Sequence, residues 1–103
     1  SLPFSVSTDK DSLTLKKGEA QTVTLKVDST SDAGEITFNS AHTASTATTS
    51  SDIQISHTMN NQNEILVTVT ANPIAISGDY KLLLGVYNSE VNVSKYIDII
   101  IEP

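Results

Sequence analysis

Apolar residues recur at every second position through most of this chain, in short runs separated by turn-forming residues. Val23, Leu25 and Val27 alternate with Thr22, Thr24 and Lys26, and Ile65, Val67 and Val69 alternate with Leu66, Thr68 and Thr70. Tyr80, Leu82, Leu84 and Val86 do the same further on. A period of two places one row of side chains on one face of a pleated strand, whereas a helix needs a period near 3.6. No helical period of useful length appears. The pattern restricts the chain to an all-β fold whose strands each bury one face. Composition agrees: Ser and Thr supply 27 of 103 residues, and branching at Cβ favours pleated surfaces. A Ser/Thr-rich acidic chain could instead be disordered, but the 38% hydrophobic content arranged in alternation argues against it.

The runs come in order. Phe4 and Val6 suggest a first strand, and Asp9, Lys10 and Asp11 a turn. Leu13 and Leu15 suggest a second strand, closed by Lys17-Gly18. Strands follow around Val23–Val27, Ile36 and Phe38, Ile53 and Ile55, Ile65–Val69, Tyr80–Val86 and Val91–Ile101. Asn72-Pro73 stops the strand before it, because proline cannot donate to a ladder. Residues 39–51 are low in complexity and read as a connection or as an extra edge strand around 43–49. The spacing gives seven or eight strands, as in an antiparallel sandwich, with the first two forming one strand split at the Asp9–Asp11 turn. The expected core is Phe4, Val6, Leu13, Leu15, Val23, Leu25, Val27, Ile36, Phe38, Ile53, Ile55, Ile65, Val67, Val69, Tyr80, Leu82, Leu84, Val86, Ile97 and Ile99. Residues 1–103 make one domain on length, and the chain reads as a piece excised from a larger multidomain protein.

The last hairpin fixes its own register. Pairing Tyr87 with Asn92 sets Val86 against Val93, Leu82 against Ile97 and Tyr80 against Ile99, all inward. Lys81 then meets Asp98 on the outer face, a favourable cross-strand pair. A slip of two residues would oppose Asp79 and Asp98, which repel. The strain in the preferred register is Lys95, which shares the inner face with Val93 and Ile97. A bulge, or a lysine snorkelling to the rim, would relieve it.

Several segments carry a resemblance: F-S-V at 4–6, S-L-T-L-K-K-G at 12–18, T-V-T-L-K-V at 22–27, L-V-T-V-T-A at 66–71 and S-G-D-Y-K-L-L-L at 77–84. Together they resemble the immunoglobulin-like and fibronectin-type-III-like sandwich modules of bacterial secreted and cell-surface proteins. Gly78-Asp79-Tyr80 opening a strand looks like the tyrosine corner of these folds, in which the phenol bonds backbone across a crossover. The chain lacks the two cysteines and core tryptophan of antibody domains. The resemblance implies an extracellular or cell-surface module that spaces domains or serves adhesion, without catalysis and without a cofactor. Its partners would be neighbouring domains of the same chain or another protein.

Chemistry in the sequence is sparse. Net charge is -6, with six Lys and no Arg, which disfavours nucleic-acid binding. No cysteine is present for disulfides or thiol chemistry, and no apolar run approaches the roughly 18 residues of a membrane span. His42 and His57 have no metal-ligand spacing, and no G-x-S-x-G elbow exists. The only candidate calcium oxygens are Asp9, Asp11, Asp28 and Asp32, and they lack the ordered loop such a site uses. The candidate binding residues are Leu83, Tyr87, Tyr96 and Ile100, which by parity form an apolar and aromatic stripe on the outer face of the last hairpin, with a flat spot at Gly85. A protein partner, a neighbouring domain or a glycan would fit such a stripe. The alternative function is therefore a carbohydrate-binding accessory domain of a secreted glycosidase.

Overall fold

In the computed structural model, residues 4–29, 36–44, 52–60 and 64–103 are described, the side chains at 29 and 42–44 aside. Eight strands run in chain order: β1 (Phe4–Thr8), β2 (Ser12–Leu15), β3 (Ala20–Ser29), β4 (Thr37–Ala44), β5 (Ile53–Met59), β6 (Glu64–Ala71), β7 (Gly78–Tyr87) and β8 (Asn92–Ile101). They form two four-stranded sheets in the orders β1-β3-β6-β5 and β2-β8-β7-β4. The first strand is split as its turn predicts. β1 pairs antiparallel with β3 in one sheet, and β2 crosses to the other and pairs parallel with β8.

The alternating side chains meet between the sheets. Leu15, Val23, Leu25, Ile65, Val67, Val69, Leu82, Leu84, Val86 and Ile99 are wholly buried. Three expected core residues, Val6, Ile36 and Ile55, only pack partly buried against this centre. Ala71, Ala75 and Ile101 are buried and were not expected. Alanine carries too weak an apolar signal to register in a pattern, and Ile101 simply extends the inward parity of Ile97 and Ile99. Thr8 also faces inward, and its hydroxyl is buried with no partner among the described residues.

The hairpin register holds over its full length, from Gly78 opposite Ile101 to Tyr87 opposite Asn92, without a bulge. Lys95 is opposite Leu84 and reaches the rim, where its ammonium lies 3.4 Å from Asp11 Oδ1. Its aliphatic stem lines the sandwich while the charge stays wet. Segment 39–51 begins within β4, at the edge of its sheet. Residues 39–44 continue β4, paired with β7 from Thr37 opposite Tyr87 to Ala44 opposite Tyr80. Residues 45–51 lie outside the described residues.

Two local devices set the ends of strands. In the turn from β2 to β3, Glu19 N–H donates to Lys16 O at 2.9 Å, and Gly18 takes φ +83 at the position where a side chain would strain. In the crossover from β6 to β7, the Tyr80 hydroxyl donates to Ile76 O at 2.7 Å and, more weakly, to Asp52 Oδ2 at 3.2 Å. That is the tyrosine corner, closed over a buried aspartate.

Candidate interaction face

The outer face of the β2-β8-β7-β4 sheet carries every candidate binding residue. Successive outward residues on one strand stand about 6.7 Å apart, so ladder pairs lie across the face as rows. One row holds Tyr96 on β8, Leu83 on β7 and Ala41 on β4. Tyr96 is 61% exposed and Leu83 is half-buried beside it. This trio is the apolar centre of the face.

The four candidates do not form one stripe. Lys81 and Asp98 occupy the next row and pair at 3.0 Å, which separates Ile100 from Tyr96 and Leu83. On the other side the row is Ser94, Gly85 and Asn39, followed by Asn92, Tyr87 and Thr37. Tyr87 is thus two rows from Leu83. The flat spot expected at Gly85 is filled: a Cβ built there would lie 2.6 Å from Asn39 Oδ1, so the amide of Asn39 rests on the bare glycine backbone. Sequence reading missed Asn39 because it sits in the low-complexity stretch, where no apolar alternation marked a strand. Two shallow depressions flank the centre. One, of about 350 Å³, is floored by Ile100 and bordered by the Lys81–Asp98 pair. The other, of about 360 Å³, lies beside Tyr87 and the turn into β8.

The charged pairs here are worth little as structure. Both partners of Lys81–Asp98 are more than half exposed, and such pairs contribute at most about 1 kcal/mol. They matter more as a polar border, which sets where an apolar partner could lie.

The acidic candidates are not gathered into a site. Asp9 Oδ1 accepts from Thr24 N–H at 2.8 Å, capping the turn between β1 and β2. Asp11 is committed to Lys95. Asp28 lies opposite Ser5, at the far end of β1 from Asp9 and about 13 Å along the strand from Thr24. Asp32 lies outside the described residues. Among the described residues, no three His, Asp or Glu are grouped to hold a metal ion. His57 sits on β5 with its ring 4.5 Å from that of Phe38, tilted by 53°, and so spans the open side of the sandwich. His42 falls on β4, in the opposite sheet. No helix among the described residues is long and apolar enough to cross a membrane.

No protein-family model and no curated sequence matches the chain. Its likeness is one of shape. Titin M4 superposes with a TM-score of 0.55 at 14% identity, over 99% of this chain and 100% of that one. The M1 domain from titin gives 0.52 at 11% identity, over 95% of each. A nucleoside hydrolase-related hypothetical protein from Saccharophagus degradans, associated with carbohydrate metabolism, gives 0.51 at 20% identity. There the match covers 96% of this chain and 25% of the other. These likenesses establish the fold as an immunoglobulin-like β-sandwich.

Proposed function

We propose that this sandwich is a non-catalytic structural or interaction module of a larger extracellular bacterial protein, spacing its domains or contacting a protein partner through the outer face of β7 and β8. The observation that carries the reading is the Tyr96–Leu83–Ala41 row, an aromatic and apolar centre built around β7, which is paired on both sides from Tyr80 to Tyr87, and bordered by polar rows. Exposed aromatic side chains on a rigid support lose little entropy on binding, which suits them as anchors. The acidic side chains support a structural role too, since Asp9, Asp11 and Asp52 are engaged in a cap, an ion pair and the tyrosine corner. The bacterial and surface context rests on the sequence resemblance.

A second reading, a carbohydrate-binding accessory domain, is favoured by one observation. A protein associated with carbohydrate metabolism contains a region of this shape as a quarter of its chain. Amide chemical shifts during titration with soluble glycans and with calcium separate the readings. The proposed function expects both titrations to be silent. Shifts clustered on Leu83, Tyr87 and Tyr96 with a sugar would replace it with the second reading. Shifts at Asp9, Asp11 or Asp28 with calcium would make the module a metal-stiffened linker.

A further inference from the structure

The chain holds seven asparagines, and one of them heads an Asn-x-Ser triplet, Asn92-Val93-Ser94. That triplet is the acceptor pattern for N-linked glycosylation, a modification of exposed segments in exported proteins. Such triplets also arise by chance, so the surroundings decide what this one can do.

The strand register puts both ends of the triplet on the surface. Asn92 opens β8, directly after the turn from β7, and Val93 between them packs against the core. Asn92 and Ser94 therefore project from the outer face about 6.7 Å apart. Both are exposed, and Ser94 stands opposite Gly85, which has no side chain to crowd it. The amide of Asn92 makes no hydrogen bond among the described residues. Asn88 shows the contrast: its Oδ1 accepts from the N–H groups of Glu90 and Val91, both at 2.8 Å, and so closes the turn. Glu90, two residues ahead of Asn92, is exposed as well. Its carboxylate offers a transferase a charged contact beside the acceptor.

The surface next to Asn92 also has room for a first sugar. The shallow depression of about 360 Å³ beside the turn is lined by Tyr87, Asn39 and Asn92 among others. Tyr87 is the ladder partner of Asn92 and is 37% exposed. An exposed aromatic ring offers an apolar face to the C–H side of a sugar, and an amide such as that of Asn39 supplies donors and an acceptor for its hydroxyls.

We propose that Asn92 is the attachment site of an N-linked glycan whose first sugar rests against Tyr87. In the transfer, Asn92 Nδ2 forms a bond to C1 of a glycan carried on a lipid diphosphate. The C1–O bond to the diphosphate breaks, the lipid diphosphate leaves with the bonding electron pair, and Nδ2 gives up one proton to a base of the transferase. The root of the glycan stands two rows, about 13 Å, from Tyr96 and Leu83, so it borders the apolar row. The inference rests on the extracellular placement proposed above, because this modification belongs to exported chains.

The test exports the full chain to the periplasm of a bacterial host that carries an oligosaccharyltransferase and its lipid-linked glycan. Trypsin releases residues 82–95 as one peptide for mass spectrometry. The wild-type peptide is expected to carry a glycan, which fragmentation places on Asn92 and not on Asn88. Asn92→Gln and Ser94→Ala are expected to lose it completely, and Ser94→Thr to keep it, all with unchanged circular dichroism. In the glycosylated protein, nuclear Overhauser effects are expected between the first sugar and the Tyr87 ring. A bare Asn92 in the exported wild-type chain, or a glycan that survives Ser94→Ala, overturns the attachment site. A glycan without contacts to Tyr87 overturns the seat. The host supplies the export, so a failure counts against the acceptor, while the sugar and calcium titrations judge the module reading separately.

Discussion

Tyr80 reaches back four residues to Ile76, and its phenol closes a crossover that also encloses Asp52. One hydroxyl thus ties the start of β7 to the residue preceding β5. Tyr80→Phe keeps the buried ring but strips the donor from a carbonyl and a carboxylate. The expected loss is about 1–3 kcal/mol of unfolding free energy, read by urea denaturation, with the β-sheet circular dichroism unchanged.

Leu82 and Leu83 are adjacent in sequence and opposite in role. Leu82 is wholly buried against Ile97, while Leu83 faces out beside Tyr96. Leu82→Ala is expected to cost about 2–5 kcal/mol and Leu83→Ala about 1 kcal/mol or less. Equal losses in thermal or urea unfolding would contradict the register.

The Lys81–Asp98 pair is exposed on both sides. Lys81→Ala is expected to lower stability by less than about 1 kcal/mol at low salt, and by nothing measurable in about 1 M salt, where the screening length is near 3 Å. A loss that persists in high salt would mean that the lysine stem, and not its charge, supports the sheet.

Thr8 is the inverse case. Its hydroxyl is buried with no partner among the described residues, so Thr8→Val swaps a desolvated polar atom for a methyl group of the same shape. A gain of about 1 kcal/mol is expected from the midpoint of denaturation.

How much of this was legible in the sequence differs by region. The β7–β8 register was readable because two constraints coincided: inward parity of Val86, Leu82 and Tyr80, and opposite charges at Lys81 and Asp98. Tyr80 was readable because Gly78 and Asp79 open its strand. β4 was not, beyond its first residues. Asn39 and Ala41 face out, and Ser40 stands where an inward apolar residue would have marked the pattern. That strand is made by the backbone of β7, which supplies a complete ladder to whatever lies beside it. The candidate stripe was half legible. Parity gave the outward direction of Leu83, Tyr87, Tyr96 and Ile100, but the Lys81–Asp98 row and the Asn39 amide divide them, and the latter depends on a strand that parity did not reveal. The exposed Ile74 and Ile76, between β6 and β7, were invisible, because they belong to no strand and only their exposure singles them out.

The crossing of the opening segment between sheets has a consequence for synthesis. β2 pairs with β8, so Leu15 waits for Ile101, which lies almost the whole chain away. β1, β3, β5 and β6 can assemble as soon as residue 71 has left the ribosome, since every partner in that sheet is already made. The other sheet cannot close until the last strand is out. During that interval Leu13 and Leu15 stay in water, and the sandwich has one finished wall facing an open side. The ten residues of β8 are thus the ones that complete the second sheet, which makes its pairing with β2 the longest-range contact the fold must form.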